Sequence, residues 1–228
     1  MNGTIALAGG DEFSPHSVSM DTSLMNWPLE RPFKLLIVPS AAVERPEKAA
    51  LNGIKYFGQL GVAASPLMIT SNAMANDKVL CRPILDASHL FFTGGDPGHL
   101  LGVLSNSIMV DYMFQFLIQG GVLIGSSAGA MVLGEWIRNP TSGHWNKGLG
   151  FVKGIGIIPH HEKLNPAMVH KNLSPFIQTD RNVWGIDIGT CCIGSQGNWI
   201  VQGQGMVTVY TVNGWASFSD GLLLPNSI

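Results

Sequence analysis

A chain of 228 residues that is 46% hydrophobic and only 12% charged can close one substantial apolar core and carries too few charges to stay disordered. Its formal net charge of -2, with no basic run of five or six residues, gives nucleic acid no electrostatic reason to bind. Three cysteines, two of them adjacent at Cys191 and Cys192, do not make a secreted disulfide framework and fit a reduced, cytoplasmic protein.

The opening stretch, MNGTIALAGGDEF, lacks the basic and long apolar regions of an export signal and reads as the first strand of the mature fold. KLLIVPSAA, HLFFTGGD and GVLIGSSAG repeat its pattern, a short apolar run ending in small residues, as expected of buried parallel strands that run into loops at their carboxyl ends. Between them lie helical segments. Residues 46–60 carry an apolar stripe of Ala49, Ala50, Ile54, Phe57 and Leu60, and residues 107–118 follow the same periodicity. Residues 112–134 hold no charge, but Gln115, Gln119, two glycines and two serines interrupt them, so they read as buried helix, turn and strand and no membrane contact is expected.

After the fourth strand, AGAMVLGEWI reads as a helix, and residues 139–147 read as a surface loop in which any lid would sit. The last part, from Asn182 onward, has strand-like runs separated by glycines and predicts short hairpins added to the main sheet. The alternation as a whole predicts an α/β protein, one domain over residues 1–228 with a doubly wound, mostly parallel sheet.

Open parallel sheets place their chemistry beyond the carboxyl ends of the strands. Pro39 with Ser40, Gly94-Gly95-Asp96, and Gly125-Ser126-Ser127 therefore share one edge. Gly125-Ser126-Ser127-Ala128-Gly129 fits Gly-x-Ser-x-Gly, the strand-to-helix elbow in which the central serine stands clear of the backbone. That serine is Ser127, with Ser126 as support, and the glycine amides of the FFTGGD loop could complete an oxyanion hole. A serine needs a base. GIGIIPHHEK brings His160 and His161 to another strand end, where successive side chains point to opposite sides and only one can face Ser127. A metal site built from His160, His161 and Glu162 with His144 or His170 is the rival use of these residues, but no metal-ligand spacing supports it; no metal or other cofactor is expected.

Taken together, FTGGD, GSSAGA and GLGFVKGIGIIPHH, in that order, resemble the S51 serine peptidase family, the group of cyanophycinase and aspartyl dipeptidase E. The resemblance implies a class I glutamine amidotransferase-like, flavodoxin-like fold with serine at the elbow. It also implies Ser127 as nucleophile, His160 as base, the Gly95 and Ala128 amides as oxyanion donors, and Asp96 beside the substrate or ordering its loop. His161 falls where the family usually has an aromatic, which makes it a substrate-side candidate. The implied activity is hydrolysis of a short peptide or isopeptide with an aspartyl group.

One position departs from the family pattern. Cyanophycinase-like members read Gly-Ile-Asp-Glu, the glutamate orienting the histidine, whereas this chain has Gly185-Ile186-Asp187-Ile188. Isoleucine cannot hold an imidazole, and Asp187 could do so only with a bulge or a changed register. Glu162 and Glu135 are the other carboxylates to weigh, beside a Ser-His dyad with no acid. Three further readings stay open: a non-catalytic binding or interaction protein of the same fold, an α/β-hydrolase esterase, whose acid and base come in a different order, and an amidotransferase using Cys191 or Cys192, neither of which lies at an elbow. The apolar composition is compatible with a homodimer, though no stripe marks an interface.

Overall fold

A computed structural model describes residues 3–29, 31–139, 142–195 and 197–225. In chain order the strands are β1 (Thr4–Ala8), β2 (Leu35–Val38), β3 (Ala64–Pro66), β4 (His89–Phe92), β5 (Val122–Ser126), β6 (Gly134–Arg138), β7 (Trp145–Lys147), β8 (Val152–Ile158), β9 (Asn182–Ile186), β10 (Thr190–Ser195), β11 (Asn198–Gly203), β12 (Val207–Thr211) and β13 (Gly214–Phe218). The helices are α1 (Val18–Met25), α2 (Pro46–Gln59), α3 (Asn72–Ala75), α4 (Lys78–Cys81), α5 (Pro97–Leu104), α6 (Ile108–Ile118), α7 (Ala128–Leu133) and α8 (Pro166–Leu173).

The first sheet has the order β11-β10-β1-β5-β4-β2-β3. Its strands β1, β5, β4, β2 and β3 run parallel, and β10 and β11 add an antiparallel edge. The continuous apolar runs are explained by burial on both faces. Leu7, Leu36, Val38, Leu90, Phe92 and Leu123 point to one side, toward α5, α6 and α7. Their alternates Ala6, Ala8, Leu35, Ile37, Phe91 and Ile124 point to the other, against Leu24 of α1 and Tyr56 and Phe57 of α2.

A second sheet, ordered β13-β12-β9-β8-β6-β7, receives the chain after α7. In it β6, β8 and β9 are parallel, so β8 delivers its carboxyl end, and the histidine pair that follows, to a loop edge. The mixed, mostly parallel α/β class is as expected. The C-terminal hairpins, expected on the main sheet alone, instead divide, β10 and β11 going to the first sheet and β12 and β13 to the second.

Two local expectations are corrected. The helix after the elbow stops at Leu133, because Gly134 turns extended (φ -62°, ψ 164°) and packs so closely on β8 that a Cβ there would lie 2.8 Å from the Ile155 carbonyl oxygen. Glu135, Trp136 and Ile137 therefore belong to β6. The stretch 139–147 is not simply a loop, since Trp145 pairs with Arg138 in a β6–β7 hairpin; Pro140 and Thr141, where a lid was expected, lie outside the described residues.

Among the described residues no single helix is long and apolar enough to cross a membrane; α5 and α6 pass that test only as a pair, bent by 89°. Their apolar positions, Leu100, Val103, Leu104, Met109, Met113 and Phe116, are spent inside the fold.

One buried carboxyl lacks a well-formed hydrogen bond. Asp21 on α1 is 0% exposed, and neither of its oxygens, nor the hydroxyl of nearby Tyr56, has a partner in good geometry. Burial pushes its pKa up from 3.8 to about 7; the neighbouring Tyr56 hydroxyl offsets part of that rise and the charge of Glu12 adds to it. Since the folded protein holds this proton to a higher pH than the unfolded chain does, stability is unaffected below about pH 4 and falls as pH rises from there through about 7. Asp21→Asn removes that penalty. The variant is expected to match the wild type in thermal midpoint at pH 4 and to exceed it at pH 8. The gain there should reach up to about 4 kcal/mol, each tenfold change in proton affinity being worth about 1.4 kcal/mol. Equal midpoints at pH 8 would show that Asp21 is ionised without penalty.

Candidate active site

Ser127 sits between β5 and α7 with φ 50° and ψ -109°, a backbone conformation that a non-glycine residue rarely adopts. The flanking glycines make this bend feasible. A Cβ on Gly125 would come within 2.5 Å of the Gly129 carbonyl carbon, and one on Gly129 within 2.8 Å of the Phe92 carbonyl oxygen, so the elbow closes on itself and on β4 only with hydrogen at both positions. Ser127 N–H donates to the Ala8 carbonyl of β1, and its own carbonyl accepts from Met131 N–H. The backbone is thus tied on both sides while the hydroxyl projects outward.

That hydroxyl lies 3.1 Å from Nε2 of His160. His160 follows β8 in the left-handed region, φ 53° and ψ 41°, and its N–H donates to the Gly9 carbonyl at the end of β1. The ring rests on Gly10 (φ 110°), where a Cβ would stand only 2.3 Å from Cε1 and 2.6 Å from Nε2. Packing on bare backbone fixes this imidazole, and among the described residues no carboxylate hydrogen-bonds to it.

The neighbouring histidine faces elsewhere. His161 is 3% exposed; its Nε2 lies 2.7 Å from the Tyr210 hydroxyl of β12, and its Nδ1 lies 3.5 Å from an Asp187 oxygen. Burial, with the charge of Asp187, pushes the Tyr210 phenol up to about 12. Two expectations are corrected here. His161 opens a short 3-10 turn and is packed against Gly185 of the second sheet, not into a substrate surface. Asp187 does not reach His160, because β9 ends at Ile186 in a register that turns the carboxylate toward His161, with its second oxygen accepting from Met206 N–H at 2.9 Å.

The other carboxylates are also engaged away from His160. Glu162 accepts from Ile188 N–H at 3.2 Å. Glu135 accepts from Gly154 N–H and from Lys147, both at 2.7 Å, and these two contacts, the backbone one first, hold its pKa below the ordinary range. Asp96 is an exposed N-cap of α5 whose side chain accepts from His99 N–H at 2.7 Å, so it orders its loop.

Three strand ends converge on the elbow. Gly95 (φ 142°) is pressed against β2's exit, where a Cβ would be 2.1 Å from the Ala41 carbonyl oxygen, and Asp96 N–H donates to that same oxygen at 2.8 Å. Ser40, expected on this edge, is buried beneath it and donates its hydroxyl to the Ile69 carbonyl. Among the described residues neither Gly95 N–H nor Ala128 N–H is taken up by another protein group.

Sequence reasoning passed over Glu12. It lies in the turn after β1, and its carboxylate accepts from Gly94 N–H at 2.6 Å and from the Ser126 hydroxyl at 2.8 Å. The available signal was its place in AGGDEF, at the carboxyl end of the first strand and hence on the reactive edge.

The cysteines offer no rival centre. Cys81, Cys191 and Cys192 are free and buried, and burial pushes the thiols of the adjacent pair far up, away from the thiolate a nucleophile requires. Among the described residues no group of three histidines, cysteines or carboxylates could hold a metal ion. His170, one of the ligands weighed above, is instead bonded through Nε2 to the Thr211 carbonyl at 3.0 Å.

Comparison with known proteins gives this arrangement a context. A model of peptidase family S51 matches residues 5–197. The chain is 31% identical over 189 residues to a cyanophycinase from Trichormus variabilis, covering 77% of this chain and 62% of that protein. It is 29% identical over 212 residues to a cyanophycinase from Geminocystis herdmanii, covering 84% and 77%. The chain therefore spans less than two thirds of the length of the first relative. Its fold is similar to the crystal structure of a peptidase from an acI-B1 Actinobacterium, with a TM-score of 0.85 at 25% identity over 98% of this chain and 96% of that one. A putative peptidase E protein from Listeria monocytogenes, at TM-score 0.65 and 16% identity over 89% and 99%, shares the fold.

Proposed function

Because the chain belongs to peptidase family S51, we propose that it is a serine hydrolase that cleaves short peptides or isopeptides through an acyl-enzyme on Ser127. The observation that carries this reading is the 3.1 Å contact between the Ser127 hydroxyl and His160 Nε2 at a strained elbow. In the proposed cycle His160 takes the hydroxyl proton as Ser127 attacks the scissile carbonyl carbon. The tetrahedral oxyanion forms between the N–H groups of Gly95 and Ala128, and His160 returns the proton to the leaving amine. Water, deprotonated by the same imidazole, then releases the acid and regenerates the serine.

Among the described residues the base has no orienting acid, so the proposed unit is a dyad whose imidazole rests on the face of Gly10 while the His160 backbone N–H is tied to the Gly9 carbonyl. The substrate class, by resemblance to the family, is a short peptide or a β-linked isopeptide carrying an aspartyl group, and the buried free thiols suit a cytoplasmic site of action. A second reading is favoured by Ile188, which stands where the family pattern has glutamate: a ligand-binding relative that keeps the elbow without turnover.

A fluorophosphonate probe separates the two. The hydrolase reading expects one equivalent of label on Ser127 of the folded protein, and release of free amine from at least one member of a panel of aspartyl dipeptides and β-aspartyl-arginine. Folded protein that takes up no label supports the binding relative instead.

A further inference from the structure

We infer that Glu12 is a positioning residue for the oxyanion hole, a role that rests on the hydrolase reading and extends it. Its carboxylate joins all three segments of the site. One oxygen takes Gly94 N–H at 2.6 Å, from the loop after β4, and the other takes the Ser126 hydroxyl at 2.8 Å, from the last residue of β5. Each held group sits one residue before a proposed part of the machinery, Gly94 before the donor Gly95 and Ser126 before the nucleophile Ser127.

The contact is close on every side. A Cβ on Gly94 would meet a Glu12 oxygen at 2.8 Å and the Ser127 Cβ at 3.3 Å, so the loop lies against both the carboxylate and the nucleophile with no space for a side chain. Ser126 is 1% exposed, which makes its hydroxyl a buried donor that needs this acceptor. Hydrogen bonds to an ionised acceptor are about twice as strong as neutral ones, and two of them from one rigid carboxylate fix a distance between the segments as well as holding each.

The turn that carries Glu12 is itself strained. Gly10, Asp11 and Phe13 have φ of 110°, 59° and 64°, three left-handed residues within four positions. Phe13 clamps the turn down, its ring 5.4 to 5.9 Å from those of Phe91, Tyr56 and Phe57 and filling the space left by Gly53 of α2. A strained turn persists only where the surroundings over-determine it, and here that strain aims a carboxylate at two backbone segments whose relative placement decides where an oxyanion would be received.

The test uses Glu12→Ala, Glu12→Gln and Ser126→Ala in the full chain, each checked for folding by circular dichroism. Two readouts are taken: hydrogen exchange across residues 93–96, and the rate at which a fluorophosphonate phosphonylates Ser127 with loss of fluoride, with kcat and KM for any peptide found to be cleaved. Glu12→Ala is expected to raise exchange in that loop and to slow phosphonylation of Ser127 about 100-fold, the order seen when one oxyanion donor is lost, with the effect on peptide cleavage in kcat and not in KM. Glu12→Gln should recover to within about tenfold of wild type, because the amide oxygen can still accept from Gly94 and the Ser126 hydroxyl can rotate to accept from the amide nitrogen. Ser126→Ala, which removes one tie, should fall between the two and serves if Glu12→Ala does not fold.

Folded Glu12→Ala, or Ser126→Ala in its place, with unchanged exchange and unchanged phosphonylation overturns the inference and leaves the hydrolase reading standing. Loss of thermal stability with equal losses in every kinetic constant also overturns it, since that is the mark of a purely structural tie. Wild-type protein that takes no label while Glu12→Ala loosens the loop defeats the hydrolase reading and leaves Glu12 as an organiser of the loop, but not of an oxyanion hole.

Discussion

Ser127→Ala is expected to abolish fluorophosphonate labelling and to lower peptide hydrolysis by roughly 10^4- to 10^6-fold, the range found when the nucleophile or base of a serine hydrolase is removed. His160→Ala should fall in the same range, because the hydroxyl has no other base among the described residues; its 3.1 Å contact with His160 Nε2 is the path by which it loses its proton. The two residues act as one unit, so the double variant should be scarcely worse than either single one. The half-exposed Ser127 side chain and the exposed His160 make few core contacts, so all three proteins should keep the wild-type thermal midpoint within a few degrees. His160→Ala that retains more than a tenth of wild-type turnover would remove the dyad from consideration.

Gly10→Ala is expected to lower kcat/KM by about 100-fold while leaving the protein folded, the order of loss associated with moving a catalytic group by about 1 Å. The reason is spatial. At φ 110° the added Cβ would lie 2.3 Å from His160 Cε1, far inside contact distance, so the ring must leave its seat and Nε2 must leave the serine. The unfavourable φ adds about 1–3 kcal/mol of destabilisation, visible as a lower thermal midpoint. An orienting acid would pull a displaced imidazole back; with none bonded to it among the described residues, displacement should persist. A Gly10→Ala protein with wild-type kinetics would mean that something other than this glycine surface seats the ring, and a crystal structure of the variant would show what.

The reactive serine and the edge it occupies were legible before any coordinates because their signals are local. Uninterrupted apolar runs mark strands buried on two faces, glycines two places either side of Ser127 mark a turn too tight for side chains, and the open parallel sheet sends its loops to one edge. The helices at 46–60 and 107–118 were readable for the same reason, since an apolar stripe belongs to a dozen consecutive residues; α2 and α6 begin and end within a residue of those bounds. Local patterns misled where a contact from far away decided. The helix expected across AGAMVLGEWI loses its second half because Gly134 meets β8, which the local sequence does not contain.

What tertiary structure alone decided is which polar groups meet. Strand alternation predicted opposite faces for the adjacent histidines, but β8 ends at Ile158, His160 is left-handed and His161 opens a 3-10 turn, so the faces are assigned by the packing of His160 on Gly10 and of His161 beneath Tyr210. The register of β9 against β8 and β12 sends the Asp187 carboxylate to His161, a matter of strand pairing that no residue near Asp187 specifies. Glu12 joins partners 82 and 114 residues away through two hydrogen bonds. Periodicity reports what a residue's neighbours in the chain require, whereas a hydrogen bond across such a span exists only once the sheet has brought its strand ends together.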